Sequence, residues 1–264
     1  MKYHIKSQMN IIFLLVINVL LSCNPQLEVE KNKIINHEGE FKLNQLKFDR
    51  VKSAYNDNYL HVKEKLNKKG IDINDFDLYL RAFKQEKELE IWAKKPNSAY
   101  IHIETFPICA SSGKIGPKRK QGDGQVPEGF YHIDRFNPLS SFHLSLGVNY
   151  PNASDKILGN QKNLGGDIFI HGNCVTVGCL PMTDRLINQI YIYAVEAKNN
   201  GQESIPITFF PFKMNDKNYL SILTTEKNKP LYSALKHGFE YFEKHRQLPS
   251  IFFKDDGSMI VSEQ

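Results

Sequence analysis

The stretch that decides this fold is Asp167-Ile-Phe-Ile-His-Gly-Asn-Cys-Val-Thr-Val-Gly-Cys-Leu-Pro-Met-Thr-Asp184. Residues 168–170 form a short apolar run, which is typical of a buried strand. Thr183 is a candidate N-cap of a helix beginning at Asp184, because its hydroxyl can accept a hydrogen bond from an N–H group of the first turn. The stretch therefore predicts a strand, a loop that contains two glycines, and a helix.

A histidine and a cysteine in this loop form a candidate catalytic dyad. His171 leaves the end of the strand, and Cys179 lies just before a helix N-terminus, whose partial positive charge is expected to lower the thiol pKa. A histidine within reach can take the thiol proton. Gly172 and Gly178 allow the close backbone approach that brings two residues eight positions apart together. The backbone N–H groups of Gly178 and Cys179 are the candidate oxyanion hole.

Three other interpretations of the loop stay open on these residues alone. Cys174 and Cys179 can form a disulfide across a short loop. His171, Cys174 and Cys179 can bind zinc, although no second cluster completes a structural tetrahedron. His171 can also be a structural histidine at a strand end. We expect the dyad, with no cofactor and no metal ion.

The first residues have the pattern of an export signal. Two lysines among the first six residues precede an apolar run at 11–21, and Ser22-Cys23 then resembles a bacterial lipobox. We expect residues 1–22 to be a signal peptide, Cys23 to be lipidated, and the polar residues that follow to be a tether. An uncleaved anchor or an ordinary signal peptide is the alternative. All of these interpretations predict that the chain is exported. Lipidation of Cys23 would also anchor it to a membrane in the periplasm or cell envelope.

The cysteine count gives information of its own. Apart from Cys23, the chain has Cys109, Cys174 and Cys179. Because three is odd, at least one of them is free or is paired with another chain. Outside the cytoplasm a free thiol is unusual unless it is used, which supports a reactive cysteine.

Length and composition indicate an ordinary globular chain. It has 264 residues, 41% of them hydrophobic and 24% charged. The formal net charge of +5 comes from basic residues spread among acidic ones, so no nucleic-acid partner is expected.

Periodicity along the chain predicts an α+β protein that is mainly β, with a sandwich or barrel core and a helix beside it. Residues 41–75 have helical spacing, residues 231–245 form a later amphipathic helix, and 252–262 form a hairpin around Asp256-Gly257. Pro206 places its strand at an edge of the sheet. The strand candidates are 78–83, 88–93, 100–106, 130–133, 142–148, 168–170 and 205–210, and the clearest helix is 184–199.

The segment from His171 to Cys179 resembles the signature of L,D-transpeptidases of the YkuD type. That signature is a His-Gly pair followed by Ser/Thr-x-Gly-Cys, here Thr176-Val-Gly-Cys179. Other pieces, in this order, resemble the YafK-like branch, and the resemblance covers about 76–215. They are Gly116-Pro-Lys118, Gln121-Gly-Asp123, Pro127-Glu-Gly-Phe-Tyr131, Phe142-His-Leu-Ser-Leu146, Tyr150-Pro-Asn152, Gly178-Cys-Leu-Pro-Met-Thr-Asp184 and Phe210-Pro-Phe212.

The resemblance implies an L,D-transpeptidase-like β-sandwich core with helical additions. The implied domains are a signal at 1–22, a tether and helical segment at 23–75, a catalytic domain at 76–215 and an extension at 216–264. Two positions depart from the pattern. Val177 stands where many members have His or Lys, and Pro181 stands where they have Arg. If that Arg holds a substrate carboxylate, a group such as Lys118 in the basic loop must replace it.

The resemblance also implies chemistry on peptidoglycan stem peptides. Cys179 attacks an L,D-peptide bond to form a thioester, His171 takes its proton, and the Gly172 carbonyl orients the imidazole. An amine acceptor then gives a crosslink, as in transpeptidation, and water gives hydrolysis by an amidase or endopeptidase. A non-catalytic wall-binding lipoprotein and a general cysteine peptidase are the other readings. The implied substrate-binding residues are Lys118, His143, Tyr150, Asn173 and Thr176.

Overall fold

The computed structural model describes residues 39–160, 162–215 and 228–263. The predicted signal peptide and the candidate lipidation site Cys23 lie outside these residues. The described residues from Phe41 onward belong to one compact unit. Within the described ranges, no helix has the length and apolar character needed to cross a membrane.

The described part of the chain contains five helices and ten strands. The helices are α1 (Glu40–Gln45), α2 (Asp49–Lys68), α3 (Ala153–Leu158), α4 (Asp184–Asn199) and α5 (Lys229–His245). The strands are β1 (Asp77–Phe83), β2 (Glu88–Lys94), β3 (Ile101–Pro107), β4 (Gly129–Asn137), β5 (Ser145–Val148), β6 (Phe169–His171), β7 (Leu180–Pro181), β8 (Ile205–Phe210), β9 (Ser250–Phe253) and β10 (Met259–Ser262).

Eight of these strands form one continuous sheet in the order β3-β2-β1-β8-β4-β5-β6-β7. The pairs β1–β8 and β6–β7 are parallel, and the other pairs are antiparallel. Strands β9 and β10 form a separate two-stranded sheet. The predicted class, α+β and mainly β, is confirmed.

The two ends of the curled sheet meet. The chain leaving β3 reaches β7, where the Cys109 N–H donates to the Pro181 carbonyl at 3.1 Å. A disulfide links Cys109, which follows β3, to Cys174 in the loop between β6 and β7. The loop between β6 and β7 therefore lies where both ends of the sheet are fastened together.

Helix α4 packs its apolar stripe into the main core. Thr183 caps it as predicted, its hydroxyl accepting from the Leu186 N–H at 3.3 Å. Ile187, Ile190 and Tyr191 are completely buried. Each such side chain stabilises the fold by about 1.5–3 kcal/mol through burial. The helix that follows the candidate nucleophile is thus fixed by the core.

Two predictions about strands are wrong. Pro206 does not mark an edge strand, because β8 lies between β1 and β4. The ladder with β1 includes Ile207 and the residues after it, so Pro206 falls outside that ladder. Near the start of β1, the Leu78 N–H donates to Gln202 Oε1 at 2.7 Å, and Gln202 Nε2 donates to the Leu78 carbonyl at 2.9 Å.

The strand predicted to begin at Phe142 begins instead at Ser145. His143 has a φ of +70°, a left-handed conformation that no regular strand contains. Phe142 and His143 therefore belong to the loop before β5, close to the end of β6.

Candidate active site

His171 and Cys179 lie at two short strands that pair in parallel. His171 is the last residue of β6, and Cys179 directly precedes β7. Ile170 is opposite Leu180 and His171 is opposite Pro181. The Cys179 thiol lies 3.5 Å from the carbonyl of Asp167, just before β6. The pairing of the two strands thus brings the loop back to β6 and places both residues of the candidate dyad beside it.

The His171 imidazole is held in one tautomer. It is 2% exposed, and its Nδ1 lies 2.6 Å from the Gly172 carbonyl oxygen. A carbonyl only accepts, so Nδ1 carries the proton and Nε2 is left as a base. Burial lowers the pKa of His171, and the bond to Gly172 offsets part of that effect. The ring of Phe142 packs against the imidazole with centroids 4.7 Å apart.

Cys179 is the free cysteine of the described residues. Its thiol donates to the Asp167 carbonyl at 3.5 Å. Burial raises its pKa above the ordinary value, the Phe169 backbone and the Lys118 ammonium lower it, and the Asp167 carboxylate raises it. The expectation that a helix N-terminus lowers this pKa is wrong, because β7 separates Cys179 from α4 and desolvation dominates.

Two hydroxyl groups occupy the backbone N–H groups that the sequence suggested for the oxyanion hole. The Cys179 N–H donates to Thr176 Oγ1 at 2.9 Å, and that hydroxyl donates back to the Cys179 carbonyl at 2.9 Å. The Gly178 N–H donates to Ser112 Oγ at 2.7 Å. The sequence analysis missed Ser112, which stands shortly before Lys118 in the chain.

Gly172 is required by close packing. A Cβ atom there would lie 2.5 Å from Asp184 Oδ1, 2.9 Å from His143 Cβ and 3.0 Å from the Phe142 carbonyl oxygen. The Gly172 N–H donates to that same carbonyl at 3.0 Å. Asp184 also accepts the Asn173 N–H at 2.8 Å. The first residue of α4 therefore anchors the loop directly after His171.

The disulfide corrects the pairing considered from the sequence. Cys174 is bonded to Cys109 and not to Cys179. Cys174 is consequently unavailable as a metal ligand, which removes the zinc set considered from the sequence. The odd cysteine expected in the sequence is Cys179 itself.

Lys118 is committed to an internal ion pair. It is 5% exposed, and its Nζ lies 2.8 Å from Asp123 Oδ1 and 2.9 Å from the Lys120 carbonyl. A substrate carboxylate could recruit Lys118 only by displacing these partners.

His143 and Tyr150 also face protein groups. His143 Nε2 lies 2.8 Å from Asn188 Oδ1 on α4. The Tyr150 hydroxyl donates to the Leu164 carbonyl at 3.3 Å, and the side chain is 5% exposed. The structure thus places neither residue in the cavity at Cys179, whereas Asn173 is exposed beside His171.

A cavity of about 250 Å³ opens beside Cys179. Ser112, Lys84, Lys87 and Lys114 contribute to its walls. Lys84 is held by Glu128 at 2.8 Å and by two carbonyls. Lys87 and Lys114 are exposed and have no carboxylate partner within the described ranges. Cys179, Ser112 and two exposed lysines without a carboxylate partner in the described part of the chain thus line one cavity.

Comparison with known proteins identifies relatives of this chain. It is 34% identical over 187 residues to "Putative L,D-transpeptidase YafK" of Escherichia coli K12, covering 70% of this chain and 74% of the relative. The YafK protein of Escherichia coli O157:H7 gives the same values. No family model matches.

Solved structures give weaker likenesses. The helical cell shape determining protein Pgp2 of Campylobacter jejuni matches with 18% identity and a TM-score of 0.42, over 69% of this chain and 74% of that one. Bdellovibrio bacteriovorus Bd1075 matches with 21% identity and a TM-score of 0.37, over 52% and 49%. From its identity and coverage with the YafK proteins, the chain belongs to the L,D-transpeptidase family.

Proposed function

We propose that this chain is a peptidoglycan-modifying enzyme that acts on L,D-peptide bonds of stem peptides through a thioester on Cys179. The observation that carries the proposal is the pairing of β6 and β7. It brings Cys179, the residue just before β7, back beside β6, whose last residue is His171, and the bond from His171 Nδ1 to the Gly172 carbonyl leaves Nε2 as the base. Membership of the L,D-transpeptidase family supplies the substrate class.

The reaction follows from the neutral state of both groups. The Cys179 thiol gives its proton to His171 Nε2 while its sulfur attacks the carbonyl carbon of the L-centre. The C–N bond to the D-amino acid then breaks, and His171 returns the proton to the leaving amine. An amine acceptor takes the acyl group in transpeptidation, and water takes it in hydrolysis.

The tetrahedral intermediate needs donors near Cys179. We assign the N–H groups of Gly178 and Cys179 to this role, since Gly178 has a φ of +94° and no side chain to cover them. Their present partners, Ser112 Oγ and Thr176 Oγ1, accept hydrogen bonds as the oxyanion would. The substrate therefore displaces two hydroxyl acceptors as the intermediate forms.

The departure at Pro181 leaves a substrate carboxylate without the family's Arg. Lys87 and Lys114 line the cavity next to Cys179 and are not neutralised by any carboxylate of the described ranges. We assign carboxylate recognition to these two lysines rather than to the paired Lys118. Asn173, exposed beside His171, is the remaining polar side chain that we assign to substrate contact.

We also propose that the chain is exported and held at a membrane by lipid on Cys23. The apolar run before a Ser-Cys pair supports this proposal. Substitution of Cys23→Ser should move the protein from the membrane fraction to the soluble fraction in a bacterial host. Retention of Cys23→Ser in the membrane fraction would favour an uncleaved anchor.

The test of the enzymatic activity uses the full-length chain in mild detergent. Wild type and Cys179→Ala are incubated with purified peptidoglycan, and the released and retained muropeptides are resolved by mass. Cys179→Ala should lose all turnover while its thermal unfolding matches wild type. Lys52→Ala, an exposed change on α2, is the control that should retain activity.

The products decide the reaction. New crosslinked dimers or exchanged terminal D-amino acids establish transpeptidation, and lost crosslinks or released peptides establish hydrolysis. Turnover that survives Cys179→Ala would contradict the thioester. Cleavage of ordinary L,L-peptides would point to a general cysteine peptidase. Binding without any change in muropeptides would favour a wall-binding protein.

A further inference from the structure

The loop between β4 and β5 holds the His-Gly pair in place. The Phe142 carbonyl accepts the Gly172 N–H at 3.0 Å, and the Leu144 carbonyl lies 3.2 Å from the same N–H. The Phe142 ring packs on the imidazole of His171 with centroids 4.7 Å apart. Since the Gly172 carbonyl in turn binds His171 Nδ1, this loop sets the direction in which Nε2 points.

The part of this loop around Phe142 gains little from burial. Phe142 is 41% exposed and Leu139 is 72% exposed, whereas Leu144, just before β5, is completely buried. His143 takes a left-handed backbone conformation with a φ of +70°, which is unfavourable for a residue other than glycine. Contacts from elsewhere in the molecule therefore help to hold the loop, and one of them joins His143 Nε2 and Asn188 Oδ1 of α4 at 2.8 Å.

Arg50 supplies such a contact from the first turn of α2. Its Nη1 donates to the Ser140 carbonyl at 2.5 Å and to the His143 carbonyl at 2.7 Å. These two carbonyls lie on either side of Phe142 in the chain. No carboxylate of the described ranges pairs with Arg50, so the bonds that the structure shows from its guanidinium go to this loop. Hydrogen bonds from a charged donor are stronger than neutral ones.

Helix α2 is itself fixed to the site. Asn58 on α2 accepts a hydrogen bond from Gln189 of α4 at 3.2 Å, and both residues are buried. Helix α4 begins at Asp184, which anchors Asn173 and lies against Gly172. The helix that carries Arg50 and the helix that anchors the loop after His171 thus form one rigid support.

We propose that Arg50 is a positioning residue for His171. By clamping the carbonyls of Ser140 and His143, it keeps Phe142 against the imidazole and so directs Nε2 towards the thiol. The proposal rests on the proposed role of His171 as the base for Cys179. Helix α2, which precedes the sheet in the chain, would then affect catalysis through Arg50, although Arg50 touches neither the substrate nor the reacting atoms.

The experiment compares full-length wild type, Arg50→Ala, Arg50→Lys and Lys52→Ala. Lys52 lies on the same helix, is exposed, and pairs with Asp49 at 3.1 Å, which makes it a matched control. We measure kcat and KM on peptidoglycan, the rate of Cys179 alkylation by iodoacetamide against pH, and thermal unfolding. The charged groups near the dyad are the same in all four proteins. They are Asp167 with its partner Arg135, Lys118, Asp184 and the cavity residues Lys84, Lys87 and Lys114.

Arg50→Ala should lower kcat by about 10-fold or more with little change in KM, because a small misplacement of a reacting group is costly. Its alkylation rate near neutral pH should fall as well, because a well-placed His171 Nε2 takes the thiol proton while the sulfur attacks iodoacetamide. Millimolar guanidinium should restore part of both rates in Arg50→Ala but change nothing in Lys52→Ala. Arg50→Lys should be intermediate, because an ammonium can reach the carbonyls without the planar fork.

Two outcomes would overturn the proposal. In the first, Arg50→Ala has the same kcat and alkylation rate as Lys52→Ala. In the second, kcat and the alkylation rate of Arg50→Ala fall only in proportion to its unfolded fraction, and guanidinium does not restore them. If wild type shows no turnover on peptidoglycan, the proposed function fails while alkylation still decides this inference. An alkylation profile that changes in Arg50→Ala then supports the positioning role, and an unchanged profile rejects it.

Discussion

At the scale of single residues, the candidate dyad rests in its neutral form. Burial lowers the pKa of His171 and raises that of Cys179, so both shifts disfavour a thiolate–imidazolium ion pair. The thiol is therefore activated during attack, when its proton moves to Nε2, and not before substrate binds. Such a resting state is consistent with the export proposed for this chain, because thiolates are the forms that oxidants attack.

This state predicts how Cys179 reacts with iodoacetamide. Because burial disfavours the thiolate, the pH at which half of the thiol ionises should lie above that of an ordinary cysteine. Alkylation rates measured from about pH 6 to about pH 10 should rise through that higher value. Cys109 and Cys174 cannot contribute, since they are disulfide-bonded, and a Cys23→Ser background removes the remaining cysteine. A rate that is already at its plateau near neutral pH would show an ion pair and contradict the neutral resting state.

Gly172 offers a second prediction at this scale. In Gly172→Ala the new methyl group would meet Asp184, His143 and the Phe142 carbonyl at 2.5–3.0 Å. Because the carbonyl belongs to backbone, we expect a loss of about 1–3 kcal/mol in unfolding free energy, together with loss of turnover. Gly166→Ala is the matched control, since nothing lies within 4 Å of its added Cβ. Equal stability of the two variants in urea unfolding would refute this reading of the packing.

At the scale of elements, the short strand β7 depends on what fastens it. It has two residues, pairs with β6, and accepts a hydrogen bond from Cys109. The disulfide from Cys109 to Cys174 fixes the middle of the loop that precedes β7. The geometry at Cys179 thus relies on a covalent link between the two ends of the sheet.

The double variant Cys109→Ser/Cys174→Ser tests that dependence. The disulfide closes a loop with a sequence separation of 65, for which chain entropy gives at most about 4 kcal/mol. We expect the unfolding free energy to fall by about 2–4 kcal/mol, and turnover to fall because the loop at Cys179 is less restrained. Cys179→Ser removes a thiol without opening the disulfide and should keep wild-type stability. If the double variant unfolds at the same urea concentration as wild type, the disulfide does not stabilise β7 and the loop before it.

At the scale of the whole molecule, local signals and long-range contacts differ in what the sequence reveals. Helix 184–199 and its cap at Thr183 were predictable, because apolar periodicity and capping lie within a few residues. The bond from Arg50 to the His143 carbonyl spans 93 positions, and the disulfide spans 65. Neither leaves a local pattern. The same holds for Pro206, whose place inside the sheet depends on which strands become its neighbours.

The site itself was partly predictable for the same reason. Cys179, His171 and the two glycines stand in one short segment, so their spacing and chemistry can be read together. Lys118 and Tyr150 have suitable chemistry, but Lys118 is paired with Asp123 in its own loop and the Tyr150 hydroxyl with the Leu164 carbonyl. Whether a polar side chain faces the cavity or the protein is a property of the tertiary structure.

A substitution on the C-terminal helix α5 is expected to lower stability without changing the candidate active site. Phe242 on α5 is 1% exposed and packs against Tyr79, Trp92 and Tyr100, with ring centroids 4.9–5.8 Å apart. Those rings belong to β1, β2 and the residue before β3, in the half of the sheet far from β6 in strand order. Phe242→Ala leaves a cavity there and should cost about 3–5 kcal/mol in unfolding free energy.

The matched control is Phe252→Ala, since Phe252 on β9 is 56% exposed and its loss should change stability by no more than about 0.5 kcal/mol. Urea unfolding gives the stability of each variant and, from it, the folded fraction used to scale kcat. Because Phe242 touches no part of the β6–β7 loop, turnover per folded molecule should equal wild type in both variants. A fall in turnover per folded molecule for Phe242→Ala would mean that the C-terminal extension shapes the site through the sheet, and does not only cover its far end.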